Sequence, residues 1–168
     1  MGSEVIKIAN CSGYYGDRLS AAKEMVEGGP IDVLTGDYLA ELTMTILFNQ
    51  KLKRGDDKGY VGTFLKQLKD VAKTCKEEEI KIVTNAGGLN PKSMANEIQN
   101  ILSELGLEMQ VAYIDGDDLM PRMSDLQNSG EEFINIDKEI SLKDSGYTTL
   151  TANAVSYTHL TLPTKCSV

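Results

Sequence analysis

Four short segments of the chain combine glycine with carboxylate or amide side chains. They read CSGYYGDR (Cys11–Arg18), GDYLAE (Gly36–Glu41), NAGGLNP (Asn85–Pro91) and DGDDL (Asp115–Leu119). Glycine lets the backbone approach a ligand closely, and the first N–H groups of a helix are donors without a partner inside the helix. Each segment could therefore bind a ligand, although turning and helix capping also explain such sequences.

The charged residues of these segments are the candidates for catalysis. Arg18 follows Asp17, the predicted cap of a helix, and so lies where the helix dipole disfavours a cation. This position suggests that Arg18 pairs with Asp37 or Asp117, or binds a substrate carboxylate or phosphate; a solvated arginine is the alternative. The predicted catalytic set is Asp17, Arg18, Asp37 and Asp117.

The small and polar residues of the same segments are the candidates for ligand contact. The pair Gly87–Gly88 contains one glycine more than a turn requires, which favours a close approach of the backbone to a ligand. Cys11 at a helix entrance could be a nucleophile, or simply a packed thiol. The predicted ligand-binding set is Asn10, Cys11, Ser12, Gly13, Tyr14, Gly16, Gly36, Asn85, Gly87, Gly88, Asn90 and Gly116.

Carboxylates also suggest an oxygen-ligand metal site, although the cofactor is left undetermined. Mg²⁺ or Mn²⁺ could be bound by Asp37, Asp115, Asp117 and Asp118, whereas Asp118 could instead cap the following helix. His159 is the only histidine, so a histidine-ligated zinc site and a complete Ser–His–Asp triad do not fit. Acid–base chemistry would fall to Asp, Glu, Tyr, Lys or Cys.

The elements that would position these segments alternate along the chain. Helices are predicted to begin at Asp17, at Asp37, near Gly59 and at Asn90–Pro91. The first has Leu19, Ala22 and Val26 on one face, and the second buries Leu39, Leu42, Ile46 and Leu47. The third has the clearest helical period, with Val61, Phe64, Leu65, Leu68, Val71, Ala72 and Cys75. Strands are predicted at Val5–Asn10, Asp32–Thr35, Ile80–Thr84 and Met109–Ile114. Weaker patterns suggest strands at Phe133–Ile136 and Tyr147–Ala154.

This alternation predicts an α/β fold with a parallel sheet, Rossmann-like and doubly wound, with helices on both faces. The first strands of a barrel would give the same pattern. Since the carboxyl ends of parallel strands share one edge, the four segments should converge on one ligand site there.

Composition limits the function classes. The formal net charge is −8, so binding to nucleic acid is not expected. No apolar run is long enough to span a bilayer, and the amino terminus does not resemble a signal peptide. Three widely spaced cysteines argue against a disulfide framework and favour a reducing, cytoplasmic compartment.

The last residues, Val155–Val168 (VSYTHLTLPTKCSV), do not continue the pattern. They resemble the translation of sequencing-adapter read-through; the alternative is a short native strand, Tyr157–Leu162, ended by Pro163. We therefore expect a domain over residues 1–153 and a non-native or disordered tail over residues 154–168. In that case His159 and Cys166 have no function.

Several long motifs, in order, resemble one protein family. ANCSGYYGDRLSAAKEMVEGGPIDVLTGDYLAELTM, then KIVTNAGGLNP, GDDL and the later TANA are similar to the N-terminal part of the acyclic terpene utilisation AtuA family, from about Lys7 to Asn153. The resemblance implies a bacterial role in degrading terpenoids such as citronellol and geraniol through CoA thioesters. It also implies that the chain is truncated, and it brings no catalytic residues with it.

Three hypotheses about function follow. The first is an enzyme of terpenoid catabolism that acts on a branched acyl-CoA or a carboxylated intermediate, inactive as this fragment. The second is a non-catalytic binding or assembly subunit that works with an acyl-CoA carboxylase, since no nucleophile setting is recognisable. The third is a nucleotide-binding domain, which is disfavoured because the first loop lacks the phosphate-binding fingerprint. A homo-oligomer is a further expectation.

Overall fold

The computed structural model describes residues 5–154 of the chain. Contacts divide these residues into two units, one ending at Ile114 and one beginning at Asp115. The elements of the first unit are β1 (Ile8–Asn10), α1 (Ala21–Glu27), β2 (Val33–Gly36), α2 (Glu41–Arg54), α3 (Gly62–Glu77), β3 (Lys81–Thr84) and α4 (Pro91–Glu104). The predicted α/β class with a parallel sheet is confirmed.

The sheet has the order β1–β2–β3, with both neighbouring pairs parallel. Ala9, Leu34 and Ile82 are paired across the three strands and therefore share one face. Two buried clusters cover this face. One is built on α1 and α3 and the other on α2, α3 and α4; Ile82 packs against both.

No helix of the first unit covers the opposite face of the sheet. Ile8 and Val83, which alternate with the buried residues of their strands, are 65% and 60% exposed. Two successive right-handed crossovers in the order β1–β2–β3 place their helices on the same face, because the winding never reverses. Helices were expected on both faces, and those of the first unit lie on one of them.

The predicted and observed helix starts agree best where the sequence contains strong capping residues. Asn90 caps α4 by accepting a hydrogen bond from the Ser93 amide, and Pro91 occupies the first turn, as predicted. The period of α3 is also confirmed, since Phe64, Leu68 and Val71 are buried. The predicted stripe of α2 is partly wrong, because Leu42 is 72% exposed whereas Leu47 is fully buried.

The predicted strand at Met109–Ile114 is wrong: this segment is not a strand in the structure. Met109 and Val111 still pack against the core, whereas Tyr113 and Ile114 are 45% and 70% exposed. A strand additionally needs a ladder of backbone hydrogen bonds to a neighbour. None of the described backbone hydrogen bonds joins this segment to β3.

The second unit contains a 3₁₀ turn (Met120–Arg122), α5 (Met123–Asn128) and α6 (Leu142–Ser145). Its two predicted strands are reduced to isolated antiparallel bridges, Ile134 with Ser141 and Asp118 with Asn153. The proposed tail from Val155 onward, with the alternative strand Tyr157–Leu162, His159 and Cys166, lies outside the described residues. None of the helices in residues 5–154 has the length and hydropathy needed to cross a membrane.

Candidate functional site

The loops that follow β1, β2 and β3 meet at the carboxyl edge of the sheet, as predicted for the first three segments. The Cys11 amide donates to the Thr35 carbonyl at 2.8 Å, and the Asp37 amide donates to the Ser12 carbonyl at 3.0 Å. These two bonds extend the pairing of β1 and β2 beyond the strands. They hold the first and second loops side by side.

Asn85 joins the third loop to the second. Its side-chain oxygen accepts from the Tyr38 amide at 2.9 Å, and its Nδ2 donates to Asp37 Oδ1 at 2.6 Å. Asp37 Oδ1 also receives a longer contact of 3.4 Å from the Leu39 amide. Asp37 itself is exposed, so one oxygen of an accessible carboxylate is held in place by a neighbouring loop.

The Asp17 carboxylate accepts two hydrogen bonds from backbone amides of its own loop. The donors are the Gly13 amide at 3.0 Å and the Arg18 amide at 2.7 Å. These backbone donors hold the pKa of Asp17 below its usual range, because hydrogen bonds to the ionised form stabilise it. The carboxylate therefore serves as an internal partner for the amides of a glycine-rich loop.

Arg18 does not pair with Asp37. Its Nη2 lies 2.7 Å from Glu24 Oε2, and both side chains are substantially exposed. The helix begins at Ala21 with Ser20 at the cap, so Arg18 precedes the helix and is not in its first turn. The electrostatic mismatch inferred from the sequence is thus absent, because the predicted helix start was several residues too early.

The predicted capping roles of Asp17 and Asp37 are both wrong. Ala40 occupies the cap position of α2 and makes no side-chain capping bond. Both carboxylates satisfy loop partners instead, Asp17 within its own loop and Asp37 across to Asn85. An Asp after a strand has several backbone and side-chain donors within reach, and the tertiary contacts choose among them.

The glycines of the second and third loops have packing reasons for their identity. A Cβ on Gly36 would lie 2.7 Å from the Tyr38 ring, and one on Gly87 would lie 2.8 Å from Pro91 Cβ. Gly88 has a φ of +54°, and a Cβ there would collide with Leu47 and the Gly59 carbonyl. The backbone is therefore closely packed at these three glycines. The groups that it approaches are other residues of the same chain.

A buried polar chain lies under the first two loops and was missed by the sequence analysis. The Tyr38 hydroxyl donates to Gln67 Oε1 at 2.5 Å and lies 3.9 Å from the Cys11 sulfur. Gln67 Nε2 continues the chain to the Arg18 carbonyl at 3.3 Å. A glutamine on the apolar stripe of α3 was the one available signal, since buried amides require partners.

Burial controls the ionisation of the Cys11 thiol and the Tyr38 hydroxyl. Cys11 and Tyr38 are almost fully buried, and desolvation raises the pKa of both groups because a charge would lose its hydration there. Cys11 is therefore held as a thiol, which favours the packing alternative over a nucleophile. Cys75 is buried on α3, and burial raises its pKa to about 11.

The remaining predicted contact residues of the first unit differ in accessibility. Tyr14 is 62% exposed, whereas Ser12 is buried and its hydroxyl donates to the Tyr14 carbonyl. Asn10 and Gly16 are exposed. Asn90 is used structurally, since its Nδ2 donates to the carbonyls of the loop that precedes α3.

The fourth segment belongs to the second unit. Asp117 Oδ2 accepts from Asn153 Nδ2 at 3.1 Å. Asp118 Oδ1 accepts from the Met120 amide at 2.9 Å, whereas the cap position of the 3₁₀ turn is Leu119. Asp115 and Gly116 are exposed. Across residues 5–154, no three His, Cys, Asp or Glu side chains come together in a group that could hold a metal ion.

Comparison with known proteins identifies the family. The family model described as acyclic terpene utilisation family protein AtuA matches residues 6–157. No curated protein matched the chain, and neither did any solved structure. The match spans nearly all of the 168 residues and includes all four glycine-rich segments. The chain belongs to the acyclic terpene utilisation family AtuA.

Proposed function

We propose that this protein acts in the catabolism of acyclic terpenoids of the citronellol and geraniol type, as an enzyme for a branched acyl-CoA or carboxylated intermediate. The observation that carries the proposal is the exposed Asp37 carboxylate, fixed by Asn85 at the carboxyl edge of the sheet in a chain of the AtuA family. Carboxyl edges of parallel sheets are the usual ligand sites of α/β proteins.

Each residue has a distinct role in this proposal. Asp37 serves as acid, base or hydrogen-bond acceptor towards the ligand. Asp17 orders the first loop, so that Gly13 and the exposed Tyr14 can face a ligand. Arg18 would have to leave Glu24 before it could bind a substrate anion. The same proposal includes a catalytic role for Asp117, a bound Mg²⁺ ion and a cytoplasmic location for the protein.

Binding and turnover of terpenoid thioesters test this function. Citronellyl-CoA and geranyl-CoA are incubated with the purified chain, with binding followed by calorimetry and products by mass spectrometry. We expect micromolar to millimolar binding that is weakened in Asp37→Asn, while Asp70→Asn, an exposed carboxylate on α3, leaves it unchanged. Absence of binding to the wild type, or equal binding by both variants, would overturn the proposal.

A non-catalytic subunit that assembles with an acyl-CoA carboxylase is the second candidate. It is favoured by one observation: Cys11, the only thiol in the candidate loops, is buried and held protonated. Co-purification of a carboxylase subunit with the tagged chain would favour this candidate over the enzyme, since this fragment is expected to show no turnover in either case.

A further inference from the structure

We infer that α2 pairs with α2 of a second copy of this chain, antiparallel and about a twofold axis. The surface that pairs is called here the outer face of α2, and it consists of the exposed residues Glu41, Leu42, Thr45, Asn49, Leu52 and Lys53. The inference goes beyond the proposed function, because it concerns association of the chain with itself and does not depend on the ligand.

Helix α2 uses little of its own surface within the first unit. Of its 14 residues only Thr43 and Leu47 are buried, whereas α3, with 16 residues, buries six. Leu42 and Leu52 are 72% and 69% exposed. Association of this helix with another surface would remove their apolar area from water, which is favourable.

The residues of the outer face lie on one side of the helix. Since successive residues of an α-helix are rotated by about 100°, these six fall within an arc of about 120°. Leu47 lies on the opposite side and is fully buried in the core. Leu42, Thr45, Asn49 and Leu52 alternate spacings of three and four residues, which is the pattern of the seam between two paired helices.

The sequence of the outer face is complementary to itself. In an antiparallel pair whose twofold axis passes at the level of Leu47, each residue lies level with one of matching chemistry in the other copy. These pairs are Glu41 with the partner subunit's Lys53, Leu42 with the partner subunit's Leu52, and Thr45 with the partner subunit's Asn49. The same three pairs recur on the other side of the axis, as a twofold interface requires.

Charge selects the antiparallel orientation. Glu41 and Lys53 are exposed, and neither forms an ion pair with another of the described residues. A parallel pair would place the two Glu41 side chains together and the two Lys53 side chains together, and both pairs would repel. The antiparallel pair replaces these repulsions by two attractions, one at each end of the outer face.

The two polar residues at the centre do not oppose close packing. The Thr45 hydroxyl donates to the Glu41 carbonyl at 3.0 Å, and Asn49 Nδ2 donates to the Thr45 carbonyl at 3.0 Å. Both groups therefore already have a partner in their own helix when water is removed. The second hydrogen of Asn49 Nδ2 can donate to the hydroxyl of the partner subunit's Thr45, which fixes the register of the two helices.

The size of the outer face sets the strength of the pairing. From Glu41 to Lys53 the helix rises about 18 Å. Such a contact is smaller than the about 800 Å² per partner that a standard stable interface buries. We therefore expect a weak dimer, with a Kd of about 0.01–1 mM.

Sedimentation equilibrium of the full chain, with reductant present, tests the inference. We expect a monomer–dimer equilibrium for the wild type. Glu41→Lys and Lys53→Glu each turn the two attractions into repulsions, so each should raise the dimer Kd about five- to thirtyfold. An equimolar mixture of the two variants should associate as the wild type does, because each introduced charge then meets its opposite on the other chain.

Matched variants show whether the effect belongs to the outer face. Lys66→Glu makes the same change of charge at an exposed position on α3 and should leave the Kd unchanged. Leu52→Ser should raise the Kd at least about fivefold, because apolar contact is lost at both ends of the pair. Ile136→Ser, at a position that is 94% exposed, should leave the Kd unchanged. Circular dichroism confirms that each variant is folded.

Each result decides the inference. A wild type that stays monomeric at every concentration overturns it. A dimer whose Kd is the same in Glu41→Lys, Lys53→Glu and Leu52→Ser uses another surface and also overturns it. A mixture of the two charge variants that associates no more tightly than either alone overturns the antiparallel pairing. Weakening by each charge reversal, with recovery on mixing, supports it.

Discussion

Asn85 and Asp37, 48 residues apart in sequence, are joined by a hydrogen bond of 2.6 Å between the amide nitrogen of one and the carboxylate of the other. The same asparagine accepts from the Tyr38 amide. One side chain thus satisfies a backbone donor and orients an exposed acid. Asn85 therefore supports the backbone of the second loop and the orientation of Asp37 at the same time.

Asn85→Ala should lower the free energy of unfolding by about 1–3 kcal/mol, because the Tyr38 amide loses its partner in a partly buried position. Urea denaturation monitored by circular dichroism measures the change. Asn100→Ala, an exposed position on α4, is the matched control and should stay within about 0.5 kcal/mol of the wild type. Equal midpoints for the two variants would contradict the bridging role.

The exchanged pair Asp37→Asn with Asn85→Asp should recover stability that Asn85→Asp alone loses. Asn85→Asp places two carboxylates within hydrogen-bonding distance, so they repel. In the double variant the amide at position 37 can donate to the carboxylate at position 85, and that carboxylate can still accept from Tyr38. Thermal melts of the two single variants and the double variant show whether the energies are coupled.

Gly88→Ala should destabilise the protein by about 2–4 kcal/mol, because the residue has a positive φ and a Cβ would meet Leu47 and the Gly59 carbonyl. Gly62→Ala is the matched control. Nothing lies within 4 Å of a Cβ at Gly62, which opens α3, so alanine should be neutral or stabilise by about 0.4–1 kcal/mol. Denaturation midpoints compare the two variants.

Tyr38→Phe should cost about 1–3 kcal/mol, since it leaves the buried Gln67 carbonyl oxygen without its donor. Tyr38→Phe combined with Gln67→Leu should be more stable than the sum of the single changes predicts, because both unsatisfied groups are removed. Tyr14→Phe, at an exposed position, provides the control. Additive losses in urea denaturation would show that the hydroxyl and the amide do not interact.

The free energy of unfolding should fall on the alkaline side. Burial raises the pKa of Cys75 from 9.0 to about 11, so above pH 9.0 the unfolded chain releases this proton while the folded chain keeps it. The contribution is fully present below pH 9.0 and is lost as the pH rises towards 11, with a slope of up to about 1.4 kcal/mol per pH unit.

Cys75→Ala should make this alkaline decline shallower. The remaining slope then comes from Cys11 and Tyr38, whose pKa values burial also raises. Urea denaturation at a series of pH values, with reductant present, measures both slopes. An unchanged slope in Cys75→Ala would show that this thiol ionises alike in the folded and unfolded chain.

The candidate site was predictable in outline because loops after parallel strands share an edge whatever their contacts. Asn85, Asp37 and Gly13 were placed there from the order of strands and helices alone. The pairings were not predictable. Arg18 had several acids within reach, and only the late start of α1 at Ala21 brings it to Glu24.

The sequence by itself determined the α/β class, the α4 cap at Asn90, the buried period of α3 and membership of the AtuA family, because these depend on local chemistry and on residue order. Tertiary structure decided which sheet face is covered, that Met109–Ile114 does not join the sheet, and that Asn85 holds Asp37. Such outcomes depend on which of several possible partners the fold brings within about 3 Å, and a local pattern carries no information about that choice.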